Sequence, residues 1–150
     1  PAGFTPRLRP GMACDAHDVH RALAVGDAVV DLRAADRFSG QVEPLDPVAG
    51  HVPGAVNLPF QLQLDAGNRL RPAAELASLW RERIGARPGS EVICMCGSGV
   101  TACHGLLALE VAGIPGARLY AGSWSEWMRD PERPVASIYI RGGSAIVRAR

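Results

Sequence analysis

The sequence predicts a single α/β domain with a mainly parallel central sheet and helices on both faces. Three observations carry that expectation. Short apolar runs of strand length at residues 28–32, 55–58, 91–95 and 117–120 alternate with segments of helical periodicity. The first of these runs is apolar until it ends in a charge, the pattern of a strand buried on both faces of a parallel sheet. At 150 residues and 47% apolar composition, the chain is long enough for one substantial core and too short for two.

Residues 1–12 hold three prolines, two glycines and no periodicity, and read as a linker arm. Asp15 is placed to cap a short helix reaching Leu23, and Gly26-Asp27 then turns the chain into the strand at residues 28–32. Four prolines and three glycines make residues 38–59 an ordered surface loop that returns to the strand at 55–58. Pro72 suits the first turn of a helix running to Ile84, with Leu76, Leu79, Trp80 and Ile84 on its buried face and Gly85 at its end. Residues 91–95 form the next strand, expected at the centre of the sheet. The helix expected from Thr101 to Ala112 is apolar almost all round, which predicts that it is sandwiched. Ser123 is the expected N-cap of a last helix through Met128. The domain is thus read as residues 13–134, and residues 135–150 are left as a tail, strand-like or mobile.

Composition removes several functions. No run of eighteen apolar residues is present, so no membrane-spanning helix is expected. A formal charge of +1 argues against nucleic acid or an anionic membrane as partner. All sixteen cationic residues are Arg, a bias that fits a GC-rich bacterial genome and supplies planar forks suited to oxyanions. The chain opens on Pro1 without a signal peptide and reads as a piece of something longer. Of the four cysteines, Cys94, Cys96 and Cys103 crowd within ten residues, unlike a secreted disulfide framework. A reducing cytoplasm is the expected compartment.

The chemistry concentrates at Cys96-Gly97-Ser98-Gly99-Val100-Thr101, between a buried strand and a helix N-terminus, where open α/β sheets place ligands. Two glycines let the backbone curl until successive N–H groups point into one cup, and the positive end of the helix dipole tops it. A sulfur at its centre is favoured as thiolate, with a pKa expected below the free value of about 8.5. A partly exposed nucleophile is the functional expectation. The same position also suits a buried structural cysteine, since free Cys packs as a small hydrophobe. Cys94 and Cys103 read as packing residues, with a Cys96–Cys103 redox pair as the weaker alternative.

Four stretches resemble signatures of the rhodanese superfamily. Residues 96–102, CGSGVTA, are similar to the active-site loop of its 3-mercaptopyruvate sulfurtransferases. Asp31-Leu32-Arg33 with Arg37-Phe38 resembles the first family signature. Residues 50–55 with Asn57 and Pro59 resemble the second, and residues 122–127 the C-terminal segment. More narrowly, the chain resembles the second, catalytic half of bacterial two-domain sulfurtransferases. The resemblance implies a rhodanese-like three-layer α/β/α fold and a sulfur relay. Cys96 takes sulfur from thiosulfate or 3-mercaptopyruvate as a persulfide and passes it to cyanide, a thiol or thioredoxin. It implies that Gly97, Gly99, Val100 and Thr101 cradle the sulfur. Ser98 then helps protonate the leaving group, and Arg37 grips the donor's anionic end. No cofactor and no metal are implied, and a preceding rhodanese-like domain is. If that domain covers the cleft, the face around Cys96 should be unusually apolar or able to pair with another copy.

The chain departs from the pattern in two places. Leu45 follows Glu43-Pro44 where mercaptopyruvate enzymes carry a second arginine, and Gly97 and Ser98 stand where thiosulfate-type loops are basic. The donor is therefore open. Other readings are weaker. Cysteine phosphatases need an arginine at the end of a longer loop, and Ala102 stands six residues after Cys96. Cys94, Cys96, Cys103 and His104 span three elements without zinc spacing, and His17, His20 and His51 do not complete a ligand set. Asp31 reads as a loop-organising carboxylate paired with Arg33, and Trp124 and Trp127 as core. The rival from another class is a non-catalytic rhodanese module that serves sulfur carriage or partner binding.

Overall fold

The structure, a computed structural model, describes residues 10–141 and 144–149 together with Gly3 and Thr5. Most of the linker arm read at residues 1–12 thus lies outside the described residues. The central sheet contains β1 (Ala13–Cys14), β2 (Ala28–Asp31), β3 (Val56–Asn57), β4 (Val92–Met95) and β5 (Arg118–Tyr120). Their order is β1-β5-β4-β2-β3, with every pairing parallel. As the apolar patterning predicts, β4 is the middle strand. It runs in register with β2, Val30 opposite Cys94 and Asp31 opposite Met95.

Among the described residues, five α-helices accompany the sheet: α1 (Ala16–Val25), α2 (Ala35–Ser39), α3 (Ala73–Ile84), α4 (Val100–Val111) and α5 (Ser123–Trp127). Strand side chains alternate between faces, and that period of two separates two cores. Val30, Leu32, Cys94 and Cys96 join Trp80, Ile84, Ala102 and Leu109 from α3 and α4 on one side. Val29, Ile93 and Met95 meet Val19, Ala22, Tyr120, Trp124 and Trp127 on the side of α1 and α5. This is the three-layer arrangement implied by the resemblance.

Local signals work where the chain is regular. Asp15 caps α1 in a capping box with Asp18, and Gly26 ends the helix at φ 87°. Pro72 sits one position earlier than expected, as the extended residue before α3 rather than in its first turn.

Three expectations are corrected. The helix α4 is not sandwiched. Ala102, Gly105 and Ala108 are its small, buried residues, and a Cβ on Gly105 would stand 3.1 Å from the Leu32 side chain. That close approach uses one face only. Val100, Leu107 and Val111 lie outward at 73%, 55% and 41% exposure. Ser123 is not an N-cap: it is the first residue of α5, fully buried, with φ 52° and its hydroxyl turned to the sheet. The loop after β2 begins with the short helix α2.

Beyond Pro134 the chain forms an antiparallel hairpin of β6 (Ala136–Arg141) and β7 (Ser144–Ala149). Val135 and Ala136 are buried, and Ala136 exchanges two main-chain hydrogen bonds with His51 at 2.8 and 2.9 Å. Gly50 makes that junction possible. At φ 123° it lies so close that a Cβ would fall 2.4 Å from the Ala136 carbonyl oxygen.

Candidate active site

The strand β4 delivers Cys96 to the carboxyl edge of the sheet, where β2 ends and α4 begins. A cavity of about 310 Å³ opens there. Cys96, Gly97, Ser98, Val100 and Thr101 line it together with Arg37, so six of the seven residues singled out from the sequence meet in one place. The seventh, Gly99, stands behind the loop. Its φ is 82°, and a Cβ would lie 2.6 Å from the Ala121 carbonyl oxygen, so only glycine fits without strain.

The orientation of the loop follows from its hydrogen bonds. The carbonyls of Cys96 and Gly97 accept from the amides of Trp124 and Ser125 at 3.0 and 2.9 Å. In a trans peptide the next N–H points the opposite way. The Gly97 and Ser98 amides are therefore turned away from α5. Among the described residues, no protein acceptor takes the amides of residues 97–101. They form an open set of donors at the start of a twelve-residue helix. The Cys96 amide is excluded from the set, because it donates to Ser123 Oγ at 3.1 Å, and that hydroxyl donates to the Tyr120 carbonyl at 2.8 Å.

Cys96 is more enclosed than the sequence suggests. The residue retains 2% exposure and belongs to the core beside Cys94 and Ala102, while also lining the cavity. Cys94 lies deeper, and burial pushes its thiol far above the ordinary range, which leaves it as packing. Cys103 is exposed on α4 and does not line the cavity.

An ion-pair system frames the opposite wall. Arg33 clamps the buried Asp31 through Nε and its terminal nitrogen at 3.0 and 2.7 Å, and donates to the Gly50 carbonyl at 2.8 Å. Its guanidinium carbon lies 4.7 Å from the Trp124 ring centroid. Glu43 accepts from both Arg33, at 3.3 Å, and Arg37, at 2.6 Å, and from the amides of Leu45 and Asp46. Burial alone raises the Glu43 pKa, but these donors outweigh it and hold the carboxyl below its ordinary value. Arg37 is thus anchored with one edge of its fork on Glu43, and its NH1 nitrogen stands over Gly97.

Sequence reasoning missed Asp46 and Ser125. Both line the cavity, Ser125 Oγ donates to Asp46 Oδ2 at 3.1 Å, and Asp46 approaches Arg37 at 3.6 Å. The available signal was the acidic residue three places after Glu43, in a loop already tied to the first signature. His51 is taken by structure. It is buried and stacked on Phe38 at 3.9 Å, and its Nδ1–H donates to the Phe38 carbonyl at 2.7 Å. Among the described residues, no group of three His, Cys, Asp or Glu side chains is placed to hold a metal ion, and no helix is long and apolar enough to cross a membrane.

The family described as Rhodanese-like domain matches residues 15–130. The "Probable 3-mercaptopyruvate sulfurtransferase" of Pseudomonas aeruginosa is 53% identical over 138 residues, covering 91% of this chain and 49% of that protein. The 3-mercaptopyruvate sulfurtransferase of Rattus norvegicus is 39% identical, covering 85% of this chain and 43% of that protein. The chain therefore spans about half the length of these relatives or less. In fold alone, it is similar to an anaerobic ergothioneine biosynthesis enzyme from Chlorobium limicola, with TM-score 0.77 and 23% identity over 86% of this chain and 32% of that one. With the family matched across nearly the whole described domain and Cys96 at the head of its loop, the chain belongs to the rhodanese-like domain family.

Proposed function

We propose that this domain is a sulfurtransferase in which Cys96 carries sulfane sulfur as a persulfide. One observation supports the reading above the others: a cysteine lining a cavity, followed by five amides that, among the described residues, have no protein acceptor. Such donors favour an anionic sulfur over a neutral thiol, and they serve a persulfide as well as a thiolate. With thiosulfate, the Cys96 thiolate attacks the outer sulfur, the S–S bond breaks, and sulfite leaves with the bonding pair. With 3-mercaptopyruvate, the C–S bond breaks and the pair goes to the pyruvate enolate, which takes up a proton. Ser98, exposed and lining the cavity, is the proposed group that eases that proton transfer, and Arg37, which lines the same cavity, is the proposed cation for the donor's anionic end. A thiol or cyanide then removes the outer sulfur and restores the thiolate. The reducing cytoplasm suits a site that works through a free cysteine.

A preceding rhodanese-like domain is the proposed cover of the cleft. Leu45 and Val100 border the cavity at 77% and 73% exposure, and Leu107 continues the apolar face along α4.

Intact-protein mass spectrometry after exposure to either donor tests the central claim. A mass increase of about 32 Da, absent from Cys96→Ser, is the outcome expected of a sulfur-accepting thiolate. An unmodified wild-type protein with both donors sinks the reading.

A further inference from the structure

We infer that Asp46 sets the donor preference of the cleft, disfavouring doubly charged donors such as thiosulfate relative to singly charged keto-thiol acids such as 3-mercaptopyruvate. The inference rests on the sulfurtransferase reading and assigns selectivity within it. Arg37 is the cation nearest the loop, yet the fork edge formed by its Nε and NH2 already holds Glu43 at 3.3 and 2.6 Å. The remaining edge faces Gly97 through NH1, and NH2 lies 3.6 Å from Asp46 Oδ2. A donor oxyanion reaching that edge must therefore settle beside Asp46.

The local charges do not cancel. Arg33 is consumed by Asp31 and shares Glu43, so two guanidiniums face the three carboxylates of Asp31, Glu43 and Asp46. The excess negative charge belongs to Asp46, the one carboxylate among the residues lining the cavity. Ser125 offers a ligand no donor there, because its hydroxyl proton is directed at Asp46 Oδ2. Repulsion scales with the product of charges, so a dianion meets about twice the penalty of a monoanion at the same distance. The open amides of residues 97–101 also attract a dianion more than a monoanion, but that attraction is common to the wild type and its Asp46 variants, so a change in the ratio between them reports Asp46 alone.

The test compares single-turnover sulfur loading of Cys96 by thiosulfate and by 3-mercaptopyruvate, at donor concentrations where the rate is still proportional to donor. The ratio of the two second-order rate constants is the readout. In Asp46→Asn and Asp46→Ser that ratio, thiosulfate over 3-mercaptopyruvate, should rise about tenfold. In the charge-preserving Asp46→Glu it should stay near the wild-type value. In the wild-type chain, raising salt from about 20 to about 200 mM should speed thiosulfate more than 3-mercaptopyruvate, a measurement that needs no variant. An unchanged ratio in both neutral variants, or the same rise in Asp46→Glu, overturns the role of Asp46 while leaving the persulfide chemistry standing. Absence of loading by either donor in the wild type overturns both.

Discussion

The hydroxyl of Ser123 accepts the backbone amide of Cys96 at 3.1 Å while donating to the Tyr120 carbonyl at 2.8 Å. One side chain thus fixes where the active loop leaves β4, and it does so from a residue held at φ 52°. Ser123→Ala leaves a buried amide without an acceptor and keeps the backbone strain. The expected cost is about 1–3 kcal/mol in urea unfolding, with slower persulfide loading because the loop starts from a loosened anchor.

The two loop glycines should respond differently. Gly99→Ala drives a Cβ toward the Ala121 carbonyl at a positive φ, so it should cost more than about 1 kcal/mol and lower sulfur loading by at least an order of magnitude. At Gly97 the added Cβ meets Arg37 NH1 at 3.4 Å, ordinary van der Waals contact. Gly97→Ala should therefore change stability by less than about 1 kcal/mol. Parallel unfolding curves and mass spectra separate the two.

Glu43 ties both arginines and two loop amides at 3% side-chain exposure. Glu43→Gln keeps the shape and removes the charge, leaving Arg33 and Arg37 undercompensated. A loss of about 2 kcal/mol is expected, below the fully buried case because Arg37 is partly solvated. The KM for an anionic donor should shift more than kcat, since Arg37 loses its anchor and the reacting sulfur does not.

Acid should weaken the fold in two windows. Burial lowers the His51 pKa despite the hydrogen bond to Phe38, so the native imidazole is neutral while the unfolded one protonates near about 6.5. The unfolded state then binds more protons, and stability falls as pH drops below that value. The lowered Glu43 pKa acts on the same side at lower pH. Its contribution is complete above the unfolded carboxyl value of about 4.3 and is lost as pH falls through the lower native one. Tm measured across this range should decline in both windows, and Glu43→Gln should flatten the lower one.

How far the sequence discloses this protein depends on the range of the forces involved. The strands β2 and β4 and the helix α3 are legible because periodicity, caps and apolar runs are local. The strand β1 is not, since its two residues are extended only by pairing with β5, where Ala13 meets Leu119 and Cys14 meets Tyr120. Ser123 misleads because a serine before a helical pattern suits an N-cap equally well, and its actual partner is twenty-seven residues away. The helix α4 misleads for another reason: apolarity records what would gain from cover, not what supplies it. In the site, Cys96 and its glycines announce themselves through one contiguous turn. Asp46 and Ser125 meet across seventy-nine residues, and no local pattern carries that proximity.

The hooking of the Cys96 and Gly97 carbonyls onto the start of α5 gives the last part of the chain an electrical role. The chain up to Tyr120 already contains all five parallel strands and Cys96, yet it lacks those two amide partners. Its two unhooked peptide groups would then be free to swivel, presenting oxygens where the amides of Gly97 and Ser98 now stand without protein acceptors among the described residues. The segment after the sheet therefore decides the polarity of the reaction chamber, although none of its atoms needs to touch the sulfur.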